Sequence, residues 1–236
     1  MKVAIIPARG GSKRIPRKNI KPFSGIPVIG RSVETALEAG CFDRVIVSTD
    51  DQEVAEVARS FGAETPFMRP AELADDTSPT LPVVHHAVTW LLQSGMDLTH
   101  VCCIYPTAPL LLASDIAAGL ELLLVSRADY VISCCAFEFP VQRSVGIDAN
   151  GFLAAEFPEH INSRSQDLKP LYHDAGQLYW GPVKSYVAML PFFQSRAVPL
   201  MIPRLRVQDI DTEDDWARAE FLFRWMNGKN NEHRPI

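Results

Sequence analysis

The chain has 236 residues, 47% hydrophobic and 22% charged, with 23 Lys and Arg against 28 Asp and Glu for a formal net charge of −5. That length and apolar content suffice for one large domain with a full core that needs no disulfide or metal staple. The apolar run from Val3 ends in Arg9-Gly10, too short for a secretory signal, and no stretch nears the ~20 apolar residues of a membrane span, so a cytoplasmic protein with no membrane partner is expected.

In chain order, residues 2–7 (KVAIIP) read as a buried strand that runs into a glycine-rich loop. A helix follows, with Val28, Ile29, Val33, Ala36 and Leu37 at helical spacing. Residues 44–49 (RVIVST) form a second strand, and Asp50 and Asp51 cap a helix over 53–61 that Gly62 stops. A short strand is predicted over 64–68 and a helix over 83–93. Residues 100–105 (HVCCIY) and 130–137 (YVISCCAF) are apolar without alternation, the pattern of strands covered on both faces, and a helix from Ser114 to Val125 joins them.

This alternation predicts an α/β fold with a mostly parallel, doubly wound sheet, whose ligands bind outside the carboxyl ends of the strands. The pattern changes over 138–182. There Asn150-Gly151 between apolar residues signals a hairpin, 157–170 is polar, and strand character returns at 177–180. This segment reads as a small β-rich insertion in an α/β domain made of 1–137 and 183–236. The second part adds a helix near 183–190, a strand over 198–202 and a closing helix after 209–215, with a tail from Asn227 expected to fray. Cys102-Cys103 and Cys134-Cys135 are neighbours in strands and so point to opposite faces; together with Cys41 they are expected to be small buried hydrophobes rather than disulfides or chelates.

Seven of the basic residues fall within 1–22, which holds no acid, leaving 16 basic against 28 acidic residues elsewhere. One concentrated basic loop in an acidic chain points to a polyanionic small molecule and away from nucleic acid. The loop reads Pro7-Ala8-Arg9-Gly10-Gly11-Ser12-Lys13-Arg14-Ile15-Pro16-Arg17-Lys18-Asn19. Glycines after a strand let backbone N–H groups approach phosphate oxygens, and the cations neutralise them. Neither GxGxxG nor GxxxxGK[ST] is present, which disfavours a dehydrogenase or a P-loop ATPase. In extended backbone Asp209 and Asp211 share a face, where they can hold Mg²⁺ or instead cap the last helix. His85-His86 are adjacent on a helix and diverge too far to chelate, and no GxSxG serine elbow or Cys–His nucleophile is found.

Five ordered stretches, IIPARGGSKRIPRKNI, FDRVIVSTDDQEVAEVARSFGAE, FMRPAELADDTSPT, YPTAPLL and QDIDTEDDW, make the chain resemble the CMP-sugar synthetase (acylneuraminate cytidylyltransferase) family over almost its whole length. The resemblance implies a nucleotide-diphospho-sugar transferase-like fold. It also implies transfer of CMP from CTP to the anomeric hydroxyl of an acidic nine-carbon sugar, with release of pyrophosphate. Mg²⁺, replaceable by Mn²⁺, would be the cofactor, held by Asp209 and Asp211. Pro7, Ala8, Arg9, Gly10, Gly11, Ser12, Lys13, Lys18, Asn19, Arg69, Ser78 and Thr80 would bind the nucleotide, and Arg9, Lys18, Asp209 and Asp211 would be catalytic. The base for the sugar hydroxyl would be a metal-bound water or one of the carboxylates. The family also implies a homodimer, in which the 138–182 insertion is a dimerisation arm reaching the partner's sugar site.

On the sugar side, YHDAGQLYWG stands where sialic acid enzymes carry an Arg-Pro-Asn-Gly type of sequence, and it resembles the pseudaminic acid branch of the family. Tyr105, Arg143, Arg164, Gln166, His173, Asp174, Gln177 and Tyr179 would face the sugar, with Arg143 and Arg164 the candidates for its carboxylate. CMP-sialic, CMP-legionaminic and CMP-Kdo synthesis are the neighbouring alternatives. A glycosyltransferase using Asp-Xaa-Asp on a finished nucleotide sugar is the alternative of another class.

Overall fold

The computed structural model describes residues 1–75 and 78–232, with side chains through Gly228; the end of the tail expected to fray, and Asp76 and Thr77, lie outside the described residues. Lys2–Pro7 (β1) leads through the basic loop to a small hairpin, Pro22–Phe23 (β2) with Ile26–Pro27 (β3), and then to helix Val28–Glu38 (α1). Arg44–Ser48 (β4) and Gln52–Ser60 (α2) follow, then Thr80–Gln93 (α3), His100–Ile104 (β5), Ala113–Ser126 (α4) and Tyr130–Ala136 (β6). Val145–Ile147 (β7) and Leu153–Ala155 (β8) form a separate hairpin. The chain closes with Tyr172–Pro182 (β9), Val183–Val187 (α5), Ala197–Met201 (β10) and Glu213–Glu232 (α6). No helix among the described residues is long and apolar enough to cross a membrane.

The main sheet has six strands in the order β10-β6-β9-β5-β1-β4. β4 and β5 flank β1 in parallel, and β10 runs parallel to β6. Alternate side chains of β1 explain the layering. Ala4 and Ile6 pack with Val33 of α1, Val54 of α2 and Ile116 of α4, whereas Val3 and Ile5 pack with Val84 and Val88 of α3 and Tyr186 of α5. Helices therefore cover both faces, which is why the strands read as unbroken apolar runs. Cys102, Cys103 and Cys135 are buried within these strands, as small hydrophobes would be.

A third, smaller cluster positions the site. Ile15 of the basic loop, Phe23, Val28, Ile210 and Trp216 are buried together, so the loop and the Asp209-Ile210-Asp211 segment, 195 positions apart, share one anchor. Burying such side chains contributes about 1.5–3 kcal/mol each.

Two expectations change. The strand expected over 64–68 is a single bridge from Glu64 to Ile46, because Pro66 and Pro70 remove ladder donors just beyond it. The insertion expected over 138–182 gives up its last quarter: Tyr172–Pro182 is an 11-residue strand inside the main sheet, antiparallel to both β5 and β6. Its polar first half, His173-Asp174-Ala175-Gly176-Gln177, hid a run from Gln177 to Gly181 that is buried on both faces. Only 137–171 stands outside the sheet. The β7–β8 turn there follows the Asn-Gly signal, with Gly151 at φ 84° and the Asp148 carboxylate accepting from the Asn150 and Phe152 amides.

Candidate active site

A cavity of about 420 Å³ opens at the carboxyl ends of β1 and β5. From the basic loop, Pro7, Arg9, Gly11, Ser12, Lys13, Lys18 and Asn19 line it, and Arg69, Ser78, Thr80 and Tyr105 close it from the far side. Local contacts set the loop before any ligand arrives. The Asn19 amide donates to the Arg9 carbonyl (2.8 Å), and Ile15 is fully buried. Arg17, in the left-handed region at φ 54°, donates to both Asp51 oxygens and to Glu53. Asp51 also caps α2 by accepting from the Val54 amide (3.0 Å). The Arg17 hydrogen bond holds the Asp51 carboxyl below the usual carboxylate range. Arg17 is thus a fastener between the loop and α2 rather than a phosphate ligand.

The expected glycine pair divides its labour. Gly10 donates to the Asp50 carboxylate (3.0 Å), and a Cβ there would lie 2.5 Å from an Asp51 oxygen, so Gly10 permits close packing. Gly11 faces the cavity, with nothing within 4 Å of where a Cβ would sit. Ala8 is fully buried and donates to the Ser48 carbonyl (2.9 Å). Ala8 and Gly10 therefore frame the loop behind the cavity wall.

The polar wall is ordered by hydrogen bonds. Arg69 is buried and donates to the Ser48 hydroxyl (3.2 Å) and carbonyl; burial first of all, against the pull of Asp50, brings its pKa down to about 10. It remains charged at neutral pH and poorly hydrated, which favours an anionic or carbonyl acceptor in the cavity. Arg9 donates to the Asp75 carbonyl (2.8 Å), Ser78 to the Asp75 carboxylate (2.7 Å), and the Thr80 hydroxyl bonds the Tyr105 phenol (2.7 Å). Lys18 donates to the Ile210 carbonyl (2.6 Å) and lies 3.6 Å from Asp211, which also pairs with Arg14 (2.8 Å).

Tyr105 also belongs to a second cavity of about 400 Å³, walled by His173, Asp174 and Tyr179 of β9 together with Gln208, Asp209 and Arg218. The β9 side chains reach it through an irregularity: the register against β6 slips between Ile132 and Cys134, and Gly176 takes φ 62°. The Asp174 carboxylate accepts from the Gly176 amide (2.8 Å) and the Tyr179 phenol, and the His173 ring donates to the Asp174 carbonyl (2.8 Å). Burial pushes the Tyr105 phenol up to about 12 and raises Tyr179 further, so both remain donors at neutral pH. The other expected sugar residues lie elsewhere. Gln177 is buried and donates to the Arg206 carbonyl (2.5 Å). Arg143 contacts Ser165 (3.4 Å), Arg164 pairs with Asp167 (3.4 Å), and Gln166 sits in the exposed turn between them, all within 137–171 and away from this cavity.

Asp209 and Asp211 flank Ile210, which is fully buried, so both carboxylates turn away from the core. Capping of α6 falls to Thr212 and Asp215: the Asp215 carboxylate accepts from the Thr212 amide (2.9 Å) while the Thr212 hydroxyl accepts from the Asp215 amide (3.2 Å). That leaves Asp209 and Asp211 outside the capping box. Crowding by protein and the Asp211 charge raise the Asp209 carboxyl, a repulsion that a bound cation would relieve. Among the described residues no third His, Cys, Asp or Glu joins them. Two carboxylates with room for water and phosphate oxygens fit Mg²⁺ or Mn²⁺, which favour hard oxygen donors.

Arg14, Pro106 and Thr107 line the first cavity on the rim that the strand-end rule assigns to ligands, whereas Val83 there, and Val207, Gln208 and Arg218 in the second, were not expected from the sequence. Pro106 and Thr107 follow β5, where a strand-end rule finds them. Arg218 carries no local signal beyond facing away from the buried Trp216 and Ala219.

Comparison with known proteins gives a concordant picture. The model of the cytidylyltransferase family matches residues 3–145. A pseudaminic acid cytidylyltransferase of Campylobacter jejuni is 40% identical over 94% of this chain and 96% of its own. A CMP-N,N'-diacetyllegionaminic acid synthase of Legionella pneumophila is 31% identical over 93% of this chain and 95% of its own. The solved CMP:2-keto-3-deoxy-manno-octonic acid synthetase, complexed with CTP, shares the fold at TM-score 0.71 and 16% identity, over 95% of this chain and 99% of that one.

Proposed function

The chain belongs to the cytidylyltransferase family, and from that premise we propose that it transfers CMP from CTP to the anomeric hydroxyl of an acidic nine-carbon sugar, with pseudaminic acid as the preferred acceptor, in the cytoplasm. The observation that carries this reading is the junction of the two cavities at Tyr105, with Asp209 on the wall of the second and Asp211 beside Lys18. CTP occupies the first cavity. Gly11, Ser12 and Lys13 face its phosphates, and Arg9, Asn19, Arg69, Ser78 and Thr80 fix the nucleotide. The sugar occupies the second, where Asp174, Tyr179 and His173 read its polar groups.

Placed this way, the anomeric hydroxyl meets the α-phosphorus near Tyr105, gives up its proton to water or to one of the Asp209 and Asp211 carboxylates, and forms the new P–O bond as the α–β P–O bond breaks and pyrophosphate leaves. Phosphoryl-type transfers are accelerated by positioning and charge stabilisation, and Lys18 supplies a fixed cation there. Asp209 and Asp211 would hold Mg²⁺ or Mn²⁺, which when bound neutralises phosphate charge. A panel of acidic sugars incubated with CTP and Mg²⁺, read as pyrophosphate release, tests the assignment. Pseudaminic acid is expected to give the highest kcat/KM; higher values with sialic, legionaminic or Kdo acids would reassign the acceptor, and no release with any would reject the activity.

The 137–171 arm supports a homodimer. Phe139, Ile147, Phe152 and Leu153 are each 70% exposed or more, a concentration of apolar surface that a monomer rarely leaves in water. A second copy would cover it and bring Arg143, Arg164 and Gln166 towards the partner's sugar cavity. Sedimentation should give twice the protomer mass; a single protomer at micromolar concentration would overturn that.

A further inference from the structure

The second cavity poses an electrostatic problem. Asp174 and Asp209 stand in its wall, yet the proposed acceptor brings a carboxylate of its own. A buried or half-buried anion needs a paired cation, and most cations nearby are already engaged. Arg206 makes a two-bond ion pair with Asp115, Arg204 faces Glu138 at 3.8 Å, and Arg14 and Lys18 turn to Asp211. Arg143 and Arg164 are held on the arm by Ser165 and Asp167.

Arg218 differs from all of these. On α6, Trp216 and Ala219 enter the third core cluster, and Arg218 lies on the cavity side beside Val207, Gln208 and Asp209. It makes no ion pair or hydrogen bond with any described residue. A guanidinium presents a planar fork that matches a carboxylate with two parallel bonds, and it holds its charge at any working pH.

We propose that Arg218 receives the sugar's carboxylate and thereby selects acidic acceptors, an inference that rests on the acceptor assignment above. The Asp174 carboxylate repels an anion presented along the β9 wall, so the acid group is steered to the α6 wall and the anomeric carbon beside it is turned towards Tyr105. Acceptance of acidic sugars then depends on one side chain from the last helix, not on the arm.

The experiment measures pyrophosphate release for wild type, Arg218→Met and Arg218→Lys, with calorimetry of CTP and of the sugar acid separately. Arg218→Met is expected to raise the sugar KM at least ~10-fold, the scale of losing a charge-assisted hydrogen bond, while the CTP KM stays within twofold. Arg218→Lys should recover part of the loss. The neutral C1 amide of the same sugar should bind wild type and Arg218→Met alike. An unchanged sugar KM, an equal rise in the CTP KM, or the same loss produced by Arg143→Met or Arg164→Met instead would overturn the proposal. Should wild type release no pyrophosphate with any acidic sugar, the acceptor assignment fails. Calorimetry with pseudaminic acid alone then judges Arg218, and equal binding by wild type and Arg218→Met overturns it.

Discussion

The two cavities that meet at Tyr105 are built in opposite ways. The first is walled by cations whose geometry is already set by their own chain: Arg69 by Ser48, Lys18 by Ile210, and the whole loop by Arg17 on Asp51. About half of its residues come from one stretch that begins at the end of β1. The second is walled by carboxylates and phenols from β9, by the segment before α6 and by α6 itself, with a single unpaired guanidinium. On the assignment proposed above, the first cavity receives a triphosphate, which presents the same charges in every reaction of this class, so its receptor can be rigid and local. On the same assignment the second receives the acceptor sugar, which must be told from its relatives, and it is assembled from distant pieces that can vary separately.

That contrast is most sharply tested at Lys18 and Asp211. Lys18→Ala or Asp211→Ala is expected to lower kcat at least ~10²-fold with every sugar accepted, the scale of one preorganised electrostatic group. Turnover within a few-fold of wild type would sink the division of labour, because the phosphate side would then be dispensable. A smaller effect is expected from Gly10→Ala. The new methyl meets the Asp51 carboxylate, which must shift and loosen the Arg17 fastener. Overpacking of this kind costs about 1–3 kcal/mol. The variant should melt several degrees lower and bind CTP several-fold more weakly, with its sugar KM unchanged; an unaltered melting curve would mean that the loop relaxes freely.

Much of the first cavity was legible because its evidence is local. Strand β1, the glycines and the cations lie within 19 residues, and strand-end geometry places them on one rim. What the residue types alone left open was the distinction between neighbours, since Gly10 and Gly11, or Arg17 and Lys18, differ only in where a turn points them. Asp209 and Asp211 were ambiguous between a cap and a metal site until Thr212 and Asp215 proved to make the cap. The second cavity was less legible. Its β9 wall depends on a register slip and a left-handed glycine inside a central strand, and Arg218 reaches it only through the packing of Trp216. The arm was recognised by its change of pattern, but its end was placed too late, since half of β9 is polar where it borders the cavity.

The position of β9 also dictates an order of assembly. β5 and β6 are consecutive strands of the sheet in sequence, yet they are not neighbours: β9 fills the slot between them, and it lies beyond the whole 137–171 arm. As the chain leaves the ribosome, β1, β4 and β5 can join as one three-stranded piece, while β6 has no partner among the strands already made. The slot stays open until residues 172–182 emerge, and β10 then completes the far edge on β6. The two halves are sewn together by one strand of high sequence separation, a slow kind of contact to form. That late strand is also the one carrying His173, Asp174 and Tyr179, so the second cavity comes into being in the same event that closes the sheet.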